Sequence, residues 1–462
     1  MAKMVFTKMV TFWEIWKRSE QGTEVTEKEF DLNLARKLRQ LKKEHEISYN
    51  SEEPLPTDTN VAREVFAAAV ELLCDVGVFC TSSSHIIKVR EEEVKEALQS
   101  APQKLSLGEG REQIEYKSRS PADSSEPRIG GGPCGCPVTE NLYVQTLCSY
   151  AKEPCVDILA TGLLTSFDGI AVQKGAPTEI AAVRQEVRLT REAAERSGRP
   201  GVCISGASSG ITPAALNSAD FYHGMRPNDL HIIPQLNELK VNWDLFSRLL
   251  HCQENGCITD VGQCPMIGYL GGPEETAILS VAELLSGLTV CNGRCLGFSP
   301  TSLDTSTSTD REALWVGATT ILAVKGSYQP LVKGFIWAAG GPCTEMLCYE
   351  LAAQTVVDTI CGADMIVSAG CTRGAYVDHY TGMEARIASE VSRATVKLKA
   401  ETANEVVKEL LQLYEEKLMK RETPVGQKFV ECYDQGRLKP LEEYLEVWSR
   451  VKKKLEELGM VF

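Results

Sequence analysis

The run Gly201-Val202-Cys203-Ile204-Ser205-Gly206 has the apolar character of a strand that ends on a glycine, and it carries one hydroxyl, Ser205, to its tip. A serine there can act in two ways. As a nucleophile it needs a base within hydrogen-bond reach, for which His223 and His231 are candidates, but no nucleophile-elbow motif surrounds it. As part of a pocket wall it supplies one hydrogen bond, and this is the role the pattern favours. Cysteine is the second reactive type. Seventeen are scattered along the chain without a Cys-x-x-Cys pair, the closest spacings being Cys134-Gly135-Cys136 and Cys291 to Cys295. Cys203, Cys264, Cys295 and Cys343 fall near predicted strand ends, where a thiolate-held zinc would act as a Lewis acid. Buried reduced thiols explain them better, so no metal site is expected.

Such residues need a scaffold, and the chain of 462 residues has one large enough to bury a sizeable core. Apolar runs alternate with helix-length stretches: VDILATGLL, GVCISG, HIIPQLN, PMIGYLGG, RCLGFSP, GFIWAAGG and DMIVSAG read as strands, with helices such as PTEIAAVRQEVRLTREAAERSG between them. Strands apolar on both faces belong to a parallel sheet covered by helices, and about eight such units make an α/β fold of the (β/α)8 barrel type. The expected organisation is an N-terminal helical and mixed extension over 1–127, the barrel over 128–400, and C-terminal helices over 401–462 packing on it. PADSSEPRIGGGPCGCPVTE, rich in Pro, Gly and Ser, reads as the loop before the barrel. Gly131-Gly132, Gly271-Gly272 and Gly340-Gly341 each precede a proline, which suits strand-to-helix turns and would also let a ligand approach the barrel mouth. Glu345, in the helical turn after Gly341, is placed to cap that helix at the mouth.

Charge narrows the partners. A formal net charge of -14 and an isoelectric point near 5.2 argue against nucleic acid and anionic membranes. No apolar run is long enough to span a bilayer, and the opening MAKMVFTKMVTFWEIWKRSE is too interrupted for a signal peptide, so a cytoplasmic protein is expected.

The blocks GGPCGCPV, GRPGVCISG, NSAD, QLNELK, GGPEET, GGPCTEM, TGMEAR, FVECYD and KKLEELGMVF, in this order, closely resemble the corrinoid-dependent monomethylamine methyltransferases over nearly the whole chain. The resemblance implies a (β/α)8 barrel, a homo-oligomer thought to be hexameric, no tightly bound cofactor, and transfer of a methyl group from an amine to Co(I) of a cognate corrinoid protein. It also implies that Ser205 stands where the family carries pyrrolysine, whose imine holds the amine. Other motif positions differ as well. Ile232 follows His231 where members have a His-Glu pair, the segment from Asp260 to Pro265 lacks a second acid, and Phe335-Ile336-Trp337 replaces a Gln-aromatic-aromatic stretch.

The chemistry that remains is a displacement by a powerful nucleophile, so the protein must supply a good leaving group and alignment. A quaternary ammonium carries its activation permanently. Phe335 and Trp337, with Tyr222 or Phe298, are the rings expected to hold such a cation, and Ile232 and Gln235 are expected to line the same pocket. Asn217, Asp220, Asn237 and Glu238, in retained blocks, are expected to fix the mouth loops. The expected function is methyl transfer from an N-methylated amine to a corrinoid protein. Monomethylamine itself, with the pyrrolysine position written or engineered as serine, and a non-catalytic corrinoid-protein-binding relative are the alternatives.

Overall fold

The computed structural model describes residues 10–462; the first part of the segment weighed above as a signal peptide lies outside the described residues. Eight parallel strands close into a barrel: β1 Arg128–Gly131, β2 Ile158–Ala160, β3 Cys203–Gly206, β4 Leu230–Pro234, β5 Ile258–Gln263, β6 Cys295–Phe298, β7 Val332–Trp337 and β8 Met365–Gly370. Each pairs with its neighbour in sequence, and β8 closes on β1 through Val367 and Gly130. The helices that follow them are α1 Glu140–Ala151, α2 Pro177–Arg196, α3 Pro213–Ser218, α4 Trp243–Glu254, α5 Pro273–Thr289, α6 Arg311–Ser327, α7 Glu345–Cys361 and α8 Gly382–Thr395. The (β/α)8 barrel is therefore present, with α3 reduced to 6 residues.

Three strand assignments move. β1 lies inside the stretch read as loop, because its two closing glycines resemble turn chemistry although they pair as strand. PMIGYLGG is not a barrel strand: β5 ends before it, and Met266–Ile267 pairs instead with Thr301–Ser302 beyond the barrel. β7 starts earlier than GFIWAAGG, at Val332, so it includes Lys333.

The strands divide their side chains between two cores. Ile158, Ala160, Cys203, Leu230, Cys295, Met365 and Val367 fill the barrel interior, whereas Val261, Leu296 and Ile336 join the much larger core between strands and helices. This is the alternation expected of a barrel wall. Part of the N-terminal region seals the far end: the hairpin of Lys104–Leu107 and Ile114–Lys117 contributes Leu105, Leu107 and Tyr116 to the interior cluster, with Tyr116 fully buried. Helix Asn60–Val76 packs on α5 and α6, and the terminal helices Ala400–Met419 and Glu442–Glu457 pack on α7.

Candidate active site

Ser205 points into the barrel in step with Cys203, two residues before it on β3, and is 4% exposed. Its hydroxyl lies 3.5 Å from Asp260 Oδ2 of β5, at the outer limit of a hydrogen bond. The same carboxylate oxygen accepts a hydrogen bond from Lys333 Nζ of β7, so a fully buried ion pair crosses the interior beside the serine. Burial alone would lower the Lys333 ammonium, but Asp260 outweighs it and holds the group above the usual lysine range. The ammonium also stands 4.8 Å from the centre of the Phe335 ring.

The pair is incompletely satisfied. Asp260 Oδ1 is buried without a hydrogen-bond partner, and an ammonium has three donors, of which Asp260 takes one. Register puts Gly262, Gly297 and Lys333 side by side across β5, β6 and β7. Gly297 is needed there, since a Cβ would meet Phe335 at 2.6 Å and Lys333 at 3.0 Å. Beside Gly262 the space is open, with no atom within 4 Å of where a Cβ would stand. A void thus lies next to unused polar capacity, on the C-terminal side of the barrel where this fold places its chemistry.

Carboxylates in the helix layer hold the loops around that opening. Glu186 of α2 accepts from the backbone N–H groups of Ser208 and Ser209 at 2.7 and 2.6 Å, fixing the loop after Ser205. Glu350 of α7 accepts from Ala339 and Gly340 at 2.9 and 2.7 Å, and Glu283 of α5 accepts from Glu238 at 2.6 Å. Burial, with Glu238 close by, pushes Glu283 up to about 8. Asn237 joins two loops, donating to the Cys264 carbonyl at 2.7 Å and accepting from its N–H at 3.1 Å.

The remaining expected site residues scatter. Ile232 is in register with Asp260 of β5, while Ser205 of β3 pairs with Leu230, two residues before it. Trp337 is half-buried, its indole lying against Gly370 and Gly374. Phe335 lies beside the ion pair, and its ring already carries the Lys333 ammonium instead of offering an empty face. Gln235 lies outside the wall, where its amide reaches Ser286 of α5 at 3.3 Å, because the pleat turns it away from the interior. Phe298 belongs to the outer core. Tyr222 is 93% exposed on a short 3-10 turn after α3 and does not line a pocket. His231 also faces outward, against Arg248, so it is no base for Ser205.

The paired glycines mostly serve chain contacts. Gly132 and Gly341 touch the backbones of Ala160 and Val425, and Gly271 and Gly272 lie on the side chains of Glu274 and Glu275. Gly131 packs on Val156 and Tyr150, and Gly340 on Leu347 and Glu350. Glu345 is paired with Arg450 of the last helix at 2.8 Å.

Asp260 and Lys333 were missed by sequence reasoning, although each is a lone charge at an inward position of an apolar strand. The loops after the strands also expose large apolar side chains, among them Ile211, Leu236, Tyr269 and Leu303, whereas Phe221 and Tyr222 are exposed on the opposite face, between α3 and β4.

A family model described as "Monomethylamine methyltransferase MtmB" matches residues 10–460. The chain belongs to the MtmB family. It is 32% identical to monomethylamine methyltransferase MtmB2 of Methanosarcina barkeri (strain Fusaro / DSM 804), covering 99% of this chain and 100% of the relative. Identity is again 32%, with the same coverage, to MtmB of Methanosarcina mazei. The crystal structure of Methanosarcina barkeri MtmB superposes with a TM-score of 0.95 over 99% of this chain and all of that one. The chain is thus a methyltransferase of the MtmB family with the barrel that family uses. Among the described residues no helix is long and apolar enough to cross a membrane.

Proposed function

We propose that this protein moves a methyl group from a quaternary N-methylated amine to Co(I) carried by a cognate corrinoid protein. The observation that carries the reading is the Asp260–Lys333 pair beside Ser205, with one carboxylate oxygen and part of the ammonium unused next to the void at Gly262. A zwitterion of the betaine type suits both charges: its carboxylate takes the free Lys333 donors, and its ammonium stands between Asp260 and the half-buried Trp337. A bare cation gains less, because Lys333 opposes it.

In the transfer, the C–N bond breaks with its electron pair passing to nitrogen, which leaves as a neutral tertiary amine, while the cobalt supplies the pair of the new Co–C bond. The chain's residues bind and orient, since the nucleophile arrives with the partner. The exposed apolar side chains on the loops around the mouth, Ile211, Leu236, Tyr269 and Leu303, provide a surface for that partner. On this reading the chain has no tightly bound cofactor of its own, works in the cytoplasm, and assembles as a homo-oligomer, hexameric by its family resemblance. The test is methyl-Co(III) formation with reduced corrinoid protein, comparing glycine betaine, tetramethylammonium and monomethylamine. Glycine betaine should be preferred. Robust turnover of monomethylamine, with the zwitterion inert, would sink the proposal.

A further inference from the structure

Outside the barrel wall, His231 of β4, Cys252 at the end of α4 and Cys257 just before β5 bring one ring nitrogen and two thiols within 4.8 Å of one another. All three residues are buried, and among the described residues no other group of His, Cys, Asp and Glu forms a candidate metal cluster. The thiols singled out earlier do not gather: Cys203 and Cys295 line the barrel interior, Cys264 is exposed, and Cys343 is half-buried.

We propose that His231, Cys252 and Cys257 bind a thiophilic divalent cation, zinc by its chemistry, that pins β4, α4 and β5 together behind the candidate active site. A tetrahedral centre with bonds of about 2.0–2.3 Å sets its ligand atoms roughly 3.3–3.8 Å apart, a modest contraction of this cluster. Two thiolates and a neutral imidazole balance a dication.

The surroundings complete the arrangement. His231 Nδ1 lies 3.2 Å from Asp220 Oδ1, an oxygen otherwise without a hydrogen-bond partner, so the carboxylate can orient the ring from the side away from the metal. Arg248 and His251 hold the other Asp220 oxygen at 2.6 and 2.8 Å. The Arg248 guanidinium, which can only donate, stands 3.1 Å from Nδ1, so that nitrogen accepts from Arg248 in the metal-free ring. Coordination through Nε2 moves the ring proton to Nδ1 and turns it toward Asp220. On the opposite side, Nε2 sits 2.8 Å from the Arg226 carbonyl oxygen. Coordination through Nε2 replaces its proton by the cation and leaves that carbonyl, or a water, facing the fourth position.

The experiment uses the purified full chain, stripped of metal under reducing conditions and titrated with Co2+, then with Zn2+. One Co2+ per chain should bind, with intense sulfur-to-cobalt charge-transfer absorption and the strong visible bands of a tetrahedral ion, and Zn2+ should displace it. Cys252→Ser and Cys257→Ser should each weaken Co2+ binding at least tenfold, and Cys264→Ser should leave it unchanged. A weak octahedral spectrum without thiolate bands, metal lost on desalting, or uptake that depends on Cys264 would each overturn the site. So would a reduced protein that binds no metal yet forms a Cys252–Cys257 disulfide on oxidation. The wild-type spectrum decides the question even if a serine variant fails to fold.

Discussion

Two buried Lys–Asp pairs occupy this barrel. At the N-terminal end, Lys325 donates to both oxygens of Asp364, at 2.8 and 2.6 Å, to Ser118 Oγ at 2.9 Å and to the Pro330 carbonyl at 2.7 Å. Asp364 in turn accepts the backbone N–H groups of Arg119 and Val332. Burial lowers the Lys325 ammonium and pushes Asp364 up to about 6. The Lys333–Asp260 pair has the same chemistry but keeps an empty acceptor and unused donors next to open space. The first is a closed joint between the N-terminal region and the barrel floor, and the second is a half-filled coordination shell. In this fold the bottom face stabilises and the top face reacts.

The comparison breaks most easily at the saturated pair. Lys325→Met strands Asp364 and should cost about 3–5 kcal/mol in denaturant unfolding, while the folded fraction keeps its specific methyl-transfer activity. Lys333→Met strands Asp260 in the same way and should cost stability on the same scale, but it should also impair the folded fraction. In that fraction it should reduce kcat/KM for glycine betaine roughly a hundredfold, on the scale of about 2–5 kcal/mol for truncating a buried charged contact, and improve tetramethylammonium, which the ammonium no longer opposes. Equal losses for both substrates would make Lys333 structural.

A carboxyl without a cation sharpens the contrast further. Glu283 is held up to about 8, against an ordinary value near 4.5, so folding favours its protonated form. Its contribution is complete below about pH 4.5 and lost as pH rises through 8. Glu283→Gln should therefore flatten the fall in stability across that window, by up to about 1.4 kcal/mol per pH unit, as read by urea midpoints at several pH values. The smallest effect belongs to Ser205→Ala. Its hydroxyl makes one long contact, worth about 0.5–1.5 kcal/mol, so the rate should fall tenfold or less; a loss of several orders of magnitude would restore the nucleophile role.

The architecture was legible because strands apolar on both faces are rare outside parallel sheets, and most barrel strands lie where those runs predict. The failures share a cause. β1 ends in glycines that local chemistry assigns to a turn, and only closure against β8 makes them strand. Lys333 was excluded from β7 because a charge in an apolar run reads as its boundary, whereas the barrel interior accepts it with Asp260 as counter-ion. Cation–aromatic reasoning found Phe335 but could not see which cation already lies over it. Tyr222 was drawn into the pocket as a candidate ring, although it lies on the exposed turn between α3 and β4, and spacing alone does not reveal that.

The hairpin that brings Tyr116 into the barrel floor has a kinetic meaning. On the proposed function, a barrel sealed at its floor leaves the methyl donor and the cobalt the same opening. The small molecule then has to enter before the large protein lids the mouth, and the demethylated amine waits until that protein departs. The proposal therefore predicts a compulsory-order ternary mechanism, read in steady-state kinetics as inhibition by a large excess of the corrinoid protein.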